Sequence, residues 1–471
     1  MKKQDLWNKP VSLRKKQVVT VDITDMTREG EGVGKYAGFP VFVKDTVTGD
    51  RAEILITKIK KNYGYGRLHK LLTASPDRVD PPCPSARQCG GCRIQQIRYE
   101  KQLDMKLDHV RNCLERIGGF DPGLVESVTE GIMGMEEPWH FRNKAQYPVG
   151  TDRQRNPVTG FYAGRTHTII PNTDCLIQDP VNEKILMTVL AHMKRFRIPA
   201  YDEEKGKGLV RHIFTRIGKE TGQIMVCLVI NGSREQLAGS GELVHTLRQI
   251  PGMESILVNS NRKKTNVIMG DHTETLWGNP YIEDRLDGLT FRIGPRSFYQ
   301  VNPEQTVKLY GKAMEYASLT GRETVWDLYC GIGTISLFLS RKAGRVIGVE
   351  VVPEAIEDAR VNAGLNGIGN VEFHVGKAEE IAPDLCRDSE NRPDVVVVDP
   401  PRKGCDGTLL DTILSMEPER IVYVSCDPAT LARDLKILCA GGYDLSKVAA
   451  VDQFCHSMHV ETVVLMSKEN T

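Results

Sequence analysis

Residues 421–430 read I-V-Y-V-S-C-D-P-A-T, a short apolar, β-branched run that ends at Cys426. Such a run has the composition of a buried strand, so the thiol is expected at the strand's carboxyl end. In open α/β sheets that edge is where ligands bind. Residues 394–402, D-V-V-V-V-D-P-P-R, make a second strand of this kind, ending in Asp399 and Arg402. Residues 325–334, V-W-D-L-Y-C-G-I-G-T, make a third, which runs into a glycine-rich turn. A thiol, a carboxylate and a glycine loop at neighbouring strand ends predict one active site.

Outward from this region, the strands R-V-I-G-V-E, N-V-E-F-H-V and E-T-V-V-L-M alternate with helical segments. That rhythm predicts a mostly parallel, doubly wound sheet over residues 301–471. The glycine loop lacks the third glycine of a dinucleotide fingerprint, since Ser336 stands there, so no pyrophosphate need be cradled. Glu350 closes the next strand, where a carboxylate can accept hydrogen bonds from both hydroxyls of a ribose. These features together meet the needs of S-adenosylmethionine. Upstream, S-F-Y-Q-V-N-P-E-Q-T supplies a helix start, with Asn302 as cap, Pro303 first inside and Gln305 placed to complete a capping box.

The N-terminal region is different. Residues 11–70 form short strand-like runs punctuated by glycine, and predict a small barrel of oligonucleotide-binding type. Overall charge is balanced, with 62 Lys/Arg against 61 Asp/Glu. Residues 1–70 nevertheless hold 15 basic and 8 acidic residues, an excess of +7. Tyr63 and Tyr65, among Lys60, Lys61, Arg67 and Lys70, suit base stacking beside phosphate contacts. The segment resembles a TRAM domain, an RNA-binding barrel of RNA-modifying enzymes. Residues 71–300 are expected to be α+β, with a helix over 100–117 stopped by Gly118-Gly119 and a hairpin formed by R-H-I-F-T-R-I and Q-I-M-V-C-L-V-I.

Cys83, Cys89 and Cys92 lie in C-P-S-A-R-Q-C-G-G-C, and Cys175 follows in N-T-D-C-L-I-Q-D-P. Four thiolates suit an iron–sulfur cluster or a structural zinc, and spacing does not separate the two. No apolar run approaches the length of a membrane span. The N-terminal M-K-K-Q-D-L-W-N-K-P lacks the apolar stretch of a signal peptide. A cytoplasmic location with reduced thiols is therefore expected.

A C-x5-C-G-G-C loop ahead of F-x-Q-x-N, a glycine loop, D-P-P-R and S-C-D-P resembles the bacterial 23S ribosomal RNA (uracil-5-)-methyltransferases over essentially the whole chain. The resemblance implies a multidomain protein: an OB-like TRAM barrel, a central α+β region carrying the metal-cluster loop, and a Rossmann-like class I methyltransferase domain. It implies a [4Fe-4S] cluster on Cys83, Cys89, Cys92 and Cys175, with zinc as the alternative. It also implies cofactor contacts at Gln300, Tyr329, Glu350 and Asp399. Cys426 is the expected nucleophile and Glu461 the expected general base.

Carbon 5 of uracil is too poor a nucleophile to be methylated unaided, whereas oxygen and nitrogen acceptors need no thiol. The expected partner is RNA, 23S ribosomal RNA first, with neither DNA nor membrane. Three alternatives compete with this reading. Enzymes with the same chemistry on transfer RNA typically lack the barrel and the cysteines. A non-catalytic RNA-binding iron–sulfur protein would have no use for the intact site, and a small-molecule methyltransferase none for the barrel.

Overall fold

A computed structural model describes residues 13–468. The N-terminal decapeptide and the first two residues of the expected barrel lie outside the described residues. The chain divides into two compact units: residues 1–106 with 456–458, and residues 107–455 with 459–471.

The smaller unit holds a closed five-stranded barrel whose strands are Val18–Met26, Gly32–Tyr36, Phe39–Lys44, Arg51–Ile59 and Gly64–Thr73. Alternate residues such as Val19, Val21 and Ile23 fill its interior, as the two-residue period of a strand requires. Tyr63 and Tyr65 are half-buried and pack edge-on at 5.6 Å, both against Phe42.

The larger unit contains two sheets and a hairpin. The first sheet runs, in spatial order, His272–Gly278, Met253–Ser260, Ile224–Ile230, Val210–Ile217, Lys144–Thr151, Pro157–Tyr162 and Ile169–Pro171. The expected hairpin is its centre, with Val210–Ile217 antiparallel to Ile224–Ile230.

The second sheet has eight strands in the order Val371–Val375, Arg345–Glu350, Thr324–Leu328, Val395–Val398, Arg420–Ser425, Glu461–Lys468, Tyr443–Val451 and Thr129–Met133. The first five are mutually parallel, and Glu461–Lys468 is antiparallel to both of its neighbours. Chain order reverses between Thr324–Leu328 and Val395–Val398, which makes a switch point with a crevice outside the strand ends.

The division at residue 300 meets an exception. Thr129–Met133 forms the outer edge of the catalytic sheet, and Val110, Leu114 and Val125 pack in one core with Trp326, Val396 and Tyr423. A helix over Tyr99–Cys113 and a π-turn over Leu114–Gly118 end at Gly119, whose φ of 78° reverses the chain. Among the described residues no helix is long and apolar enough to cross a membrane.

Candidate active site

The glycine loop grows directly out of the strand Thr324–Leu328. Tyr329 takes a left-handed backbone, φ 67°, and the Tyr329 and Cys330 N–H groups both donate to the Val349 carbonyl at 3.0 and 3.1 Å. The loop is thus laid against the end of the neighbouring strand, where Glu350 sits. Gly331 N–H donates to Glu350 Oε2 at 3.3 Å, and Val352 N–H donates to Oε1 at 3.0 Å. Each oxygen keeps a lone pair for a further donor. A Cβ on Gly331 would meet nothing within 4 Å, whereas Gly333, at φ 81°, lies against Phe373 and Ala359.

Ser336 has a use the motif does not reveal. Its hydroxyl donates to Asp327 Oδ2 at 2.5 Å in the core beneath the loop. Asp327 is fully buried, and burial pushes its carboxyl up to about 7.

The opposite wall carries the reactive groups. Asp399 and Cys426 are the residues that follow the parallel strands Val395–Val398 and Arg420–Ser425. Glu461 opens the antiparallel strand beside them, where Ser425 pairs with Thr462. Burial raises the Asp399 carboxyl to about 7. Burial, reinforced by Asp399, raises Glu461 to about 8, and Arg402 opposes that rise. The Cys426 thiol is pushed up to about 12 by burial and by the charges of Glu461 and Asp399, again opposed by Arg402.

Among the described residues, Arg402 is the cation that favours the Cys426 thiolate. Arg433 is committed to Asp434 and to the Lys403 and Cys405 carbonyls. The helix Pro428–Ala440 does begin next to Cys426, but its first N–H groups are taken by the Asp427 carboxylate, at 2.9 Å to Ala429 N.

These walls enclose a cavity of about 770 Å³, reached by Gln300, Tyr329, Glu350, Asp399, Arg402, Cys426 and Glu461. All six expected cofactor and catalytic positions therefore border one space. Phe298, 63% exposed, stands at its margin. Cys330, in the glycine loop, is a wall residue of the cavity. Asn302 caps the helix Pro303–Ala317 by accepting from Gln305 N–H at 3.3 Å. The expected capping box is not completed, because the Gln305 amide instead donates to the Met133 and Asp452 carbonyls and ties the helix to two strand ends.

Sequence reasoning missed Tyr310, Thr334 and Phe454, which also line the cavity. Tyr310 Oη lies 3.3 Å from Thr334 Oγ1. Its only signal was a polar tip on an otherwise buried helix face. His456 belongs to the smaller unit and is structural there: its carbonyl accepts from Arg93 and its ring contacts Gln102 at 3.3 Å.

The cysteine loop is tight, as expected, with Cys89 N–H bonded to the Ser85 carbonyl and Gly91 N–H directed at Cys89 Sγ at 3.4 Å. Burial and the nearby Cys83 raise the Cys89 thiol. Among the described residues, however, no group of three or more His, Cys, Asp or Glu side chains converges as a metal site, so the ready-made metal-cluster loop is not observed. Metal sites commonly close only as their ligands lose their protons on binding the ion. Among the described residues no two cysteines are joined by a disulfide.

Comparison with known proteins bears on this arrangement. Residues 255–469 match the tRNA (Uracil-5-)-methyltransferase family, and residues 13–69 match the TRAM domain. An uncharacterized RNA methyltransferase of Halalkalibacterium halodurans is 49% identical over 97% of this chain and 98% of its own. This chain belongs to the RNA uracil-methyltransferase family. A relative from Clostridium acetobutylicum, also an uncharacterized RNA methyltransferase, is 47% identical over 98% of this chain and 99% of its own. The solved structure of the Pyrococcus abyssi tRNA (uracil-54, C5)-methyltransferase with S-adenosyl-L-homocysteine superposes with a TM-score of 0.74 at 28% identity, covering 95% of this chain and 100% of that one. As a member of this family, the protein is an S-adenosylmethionine-dependent enzyme acting on RNA, and its barrel is an RNA-binding TRAM domain.

Proposed function

We propose that this RNA methyltransferase transfers a methyl group to carbon 5 of a uridine through a transient Cys426–uracil bond. The observation that carries the reading is the antiparallel register of Ser425 with Thr462, which brings the thiol and the Glu461 carboxyl to the same cavity wall. Bound S-adenosylmethionine supplies the methyl group and a positive sulfonium charge. Glu350, with acceptor capacity to spare, suits the ribose, and Gln300 and Tyr329 flank the remaining cofactor surface.

In this reading the Cys426 thiolate adds to carbon 6, and the ring electrons move toward carbon 5 and the carbon-4 oxygen. Carbon 5 then takes the methyl group. Glu461 removes the carbon-5 proton, the 5,6 double bond re-forms, and the sulfur of Cys426 leaves. A carboxylate raised by burial is a stronger base than one in water, and no sulfonium charge remains in the crevice at the step where Glu461 must accept a proton. Arg402 favours the thiolate at the start of the cycle.

The first substrate proposed is 23S ribosomal RNA, on the resemblance of the cysteine loop. The Pyrococcus abyssi likeness favours a second reading, a transfer RNA uridine. It covers 95% of this chain, so the barrel does not separate ribosomal from transfer RNA as the sequence reasoning assumed. Mapping 5-methyluridine in both RNA classes from cells with and without the protein tests the choice. Loss from 23S RNA alone is expected, and loss from transfer RNA alone would overturn it.

We also propose Cys83, Cys89, Cys92 and Cys175 as iron–sulfur ligands, with zinc the alternative. The soft donor set and the N–H group directed at Cys89 Sγ support the reading. No catalytic step uses the cluster. Iron and sulfide in anaerobically purified protein are expected, and stoichiometric zinc without iron would replace the cluster with a zinc site.

A further inference from the structure

The seven-stranded sheet carries a second cavity, of about 340 Å³, that the methyl-transfer chemistry does not use. It opens where the strand Val210–Ile217 breaks register. Val210 pairs with Ile230 but His212 pairs with Val229, so Arg211 is the extra residue of a β-bulge. Consecutive residues of a regular strand face opposite ways. The bulge lets Arg211 and His212 border the same space.

Both residues are 5% exposed. Among the described residues, Arg211 Nε and His212 Nδ1 make no hydrogen bond. Buried polar nitrogens without partners are rare and costly, and a ligand that supplies the partners explains them. Arg211 also spends its Nη1 on the Asn261 and Lys263 carbonyls, holding the basic segment N-R-K-K at the cavity's edge.

The remaining lining is planar and polar. The Arg211 guanidinium lies 4.6 Å from the centre of the Tyr201 ring. Tyr162 donates its hydroxyl to Glu203 at 3.1 Å, and the His167 ring stands 5.2 Å from the Tyr162 ring. Lys264 lies exposed on the margin. Aromatic faces, a carboxylate acceptor, unbonded buried nitrogens and a cation at the entrance match a nucleotide entering base first. Glu203 is also paired with His167 Nδ1 at 2.5 Å, which fixes the carboxylate at the cavity wall, and an apolar ligand would leave the buried nitrogens unpaired.

We infer that this cavity captures a second unstacked nucleobase of the RNA substrate, distinct from the methylated uridine, with its phosphate at Lys264. The inference rests on RNA being the substrate, and not on which RNA it is. It assigns the central domain a share of substrate selection.

The test uses the full chain and RNA purified from cells that lack the protein. Tyr162→Ala and Lys264→Ala, the latter at an exposed side chain, are each expected to raise the KM for RNA about 10-fold. Turnover, S-adenosylmethionine affinity and melting temperature should be unchanged. Ultraviolet crosslinking followed by peptide mass spectrometry is expected to place a nucleotide on the peptide holding Tyr162 or Tyr201, and His167→Ala should weaken that crosslink.

Crosslinking needs no methyl transfer, so a wild-type protein that crosslinks there without methylating RNA would count against the uridine chemistry alone. An unchanged KM in both correctly folded variants, or the absence of any crosslink in these peptides, overturns the inference. So does saturation of the cavity by free mononucleotides with no effect of the variants on RNA binding.

Discussion

Ser425 and Thr462 are partners across two antiparallel strands, and one further step of that register sets Cys426 beside Glu461. Residues directly opposite in such a pair share a face and lie close enough to interact. Burial, and after it the charge of Glu461, push the Cys426 thiol up to about 12.

Alkylation of Cys426 reads that coupling. The thiolate is the reactive form, so iodoacetamide should label Cys426 slowly at pH 8. Glu461→Gln removes a negative neighbour and should speed labelling, whereas Arg402→Ala removes the opposing cation and should slow it. Peptide-resolved mass spectrometry separates this thiol from the other eleven. Equal rates in all three proteins would disconnect the groups.

Glu461→Gln also tests the base. Losing general-base assistance typically costs about 10²- to 10⁴-fold in rate. Proton removal precedes release, so the variant is expected to accumulate RNA bound through Cys426 with the methyl group already transferred. A denaturing gel with labelled cofactor shows that species, and normal turnover without it would exclude Glu461 from the role.

The same carboxyls make stability depend on pH. Folding raises Glu461 from 4.5 to about 8 and Asp399 from 3.8 to about 7. A raised folded value means the neutral acid is favoured in the fold. Its contribution is complete below the unfolded values and is lost as pH rises through the folded ones. Glu461→Gln should therefore match the wild type near pH 4 and surpass it in denaturation midpoint above about pH 8. A constant difference across that window would contradict the assignment.

Beneath the glycine loop, Ser336→Ala should leave the buried Asp327 carboxyl without its hydroxyl donor. An unsatisfied buried acceptor costs about 1–3 kcal/mol. A lower melting temperature is the expected readout. Unchanged stability would show that the hydrogen bond adds nothing.

What the sequence disclosed was local. Asp399, Cys426 and Glu350 each end a run of β-branched residues, so a strand could be read and its terminal side chain placed at the sheet's edge. The glycines beside Tyr329 and the cap at Asn302 were readable for the same reason.

What escaped depends on distant partners. Thr129–Met133 is a strand only because Val448–Val451 offers it an edge. Gln305 reads as half of a capping box until the Met133 and Asp452 carbonyls stand beside it. The pairing of Ser336 with Asp327 and the bulge at Arg211 likewise carry no periodic signature. The thiols of the C-x5-C-G-G-C loop were legible as a pattern, but a pattern does not fix whether side chains converge, and among the described residues they form no ready-made metal site.

The most direct measurement is covalent trapping on RNA carrying 5-fluorouridine, whose fluorine cannot be removed as a proton. With S-adenosylmethionine present, the wild-type protein should form a complex that survives denaturation, with the adducted nucleotide on the peptide containing Cys426. Cys426→Ala should form none, while still binding the cofactor and methylating nothing. Methylation by Cys426→Ala at the wild-type rate, or trapping at another residue, would contradict the account.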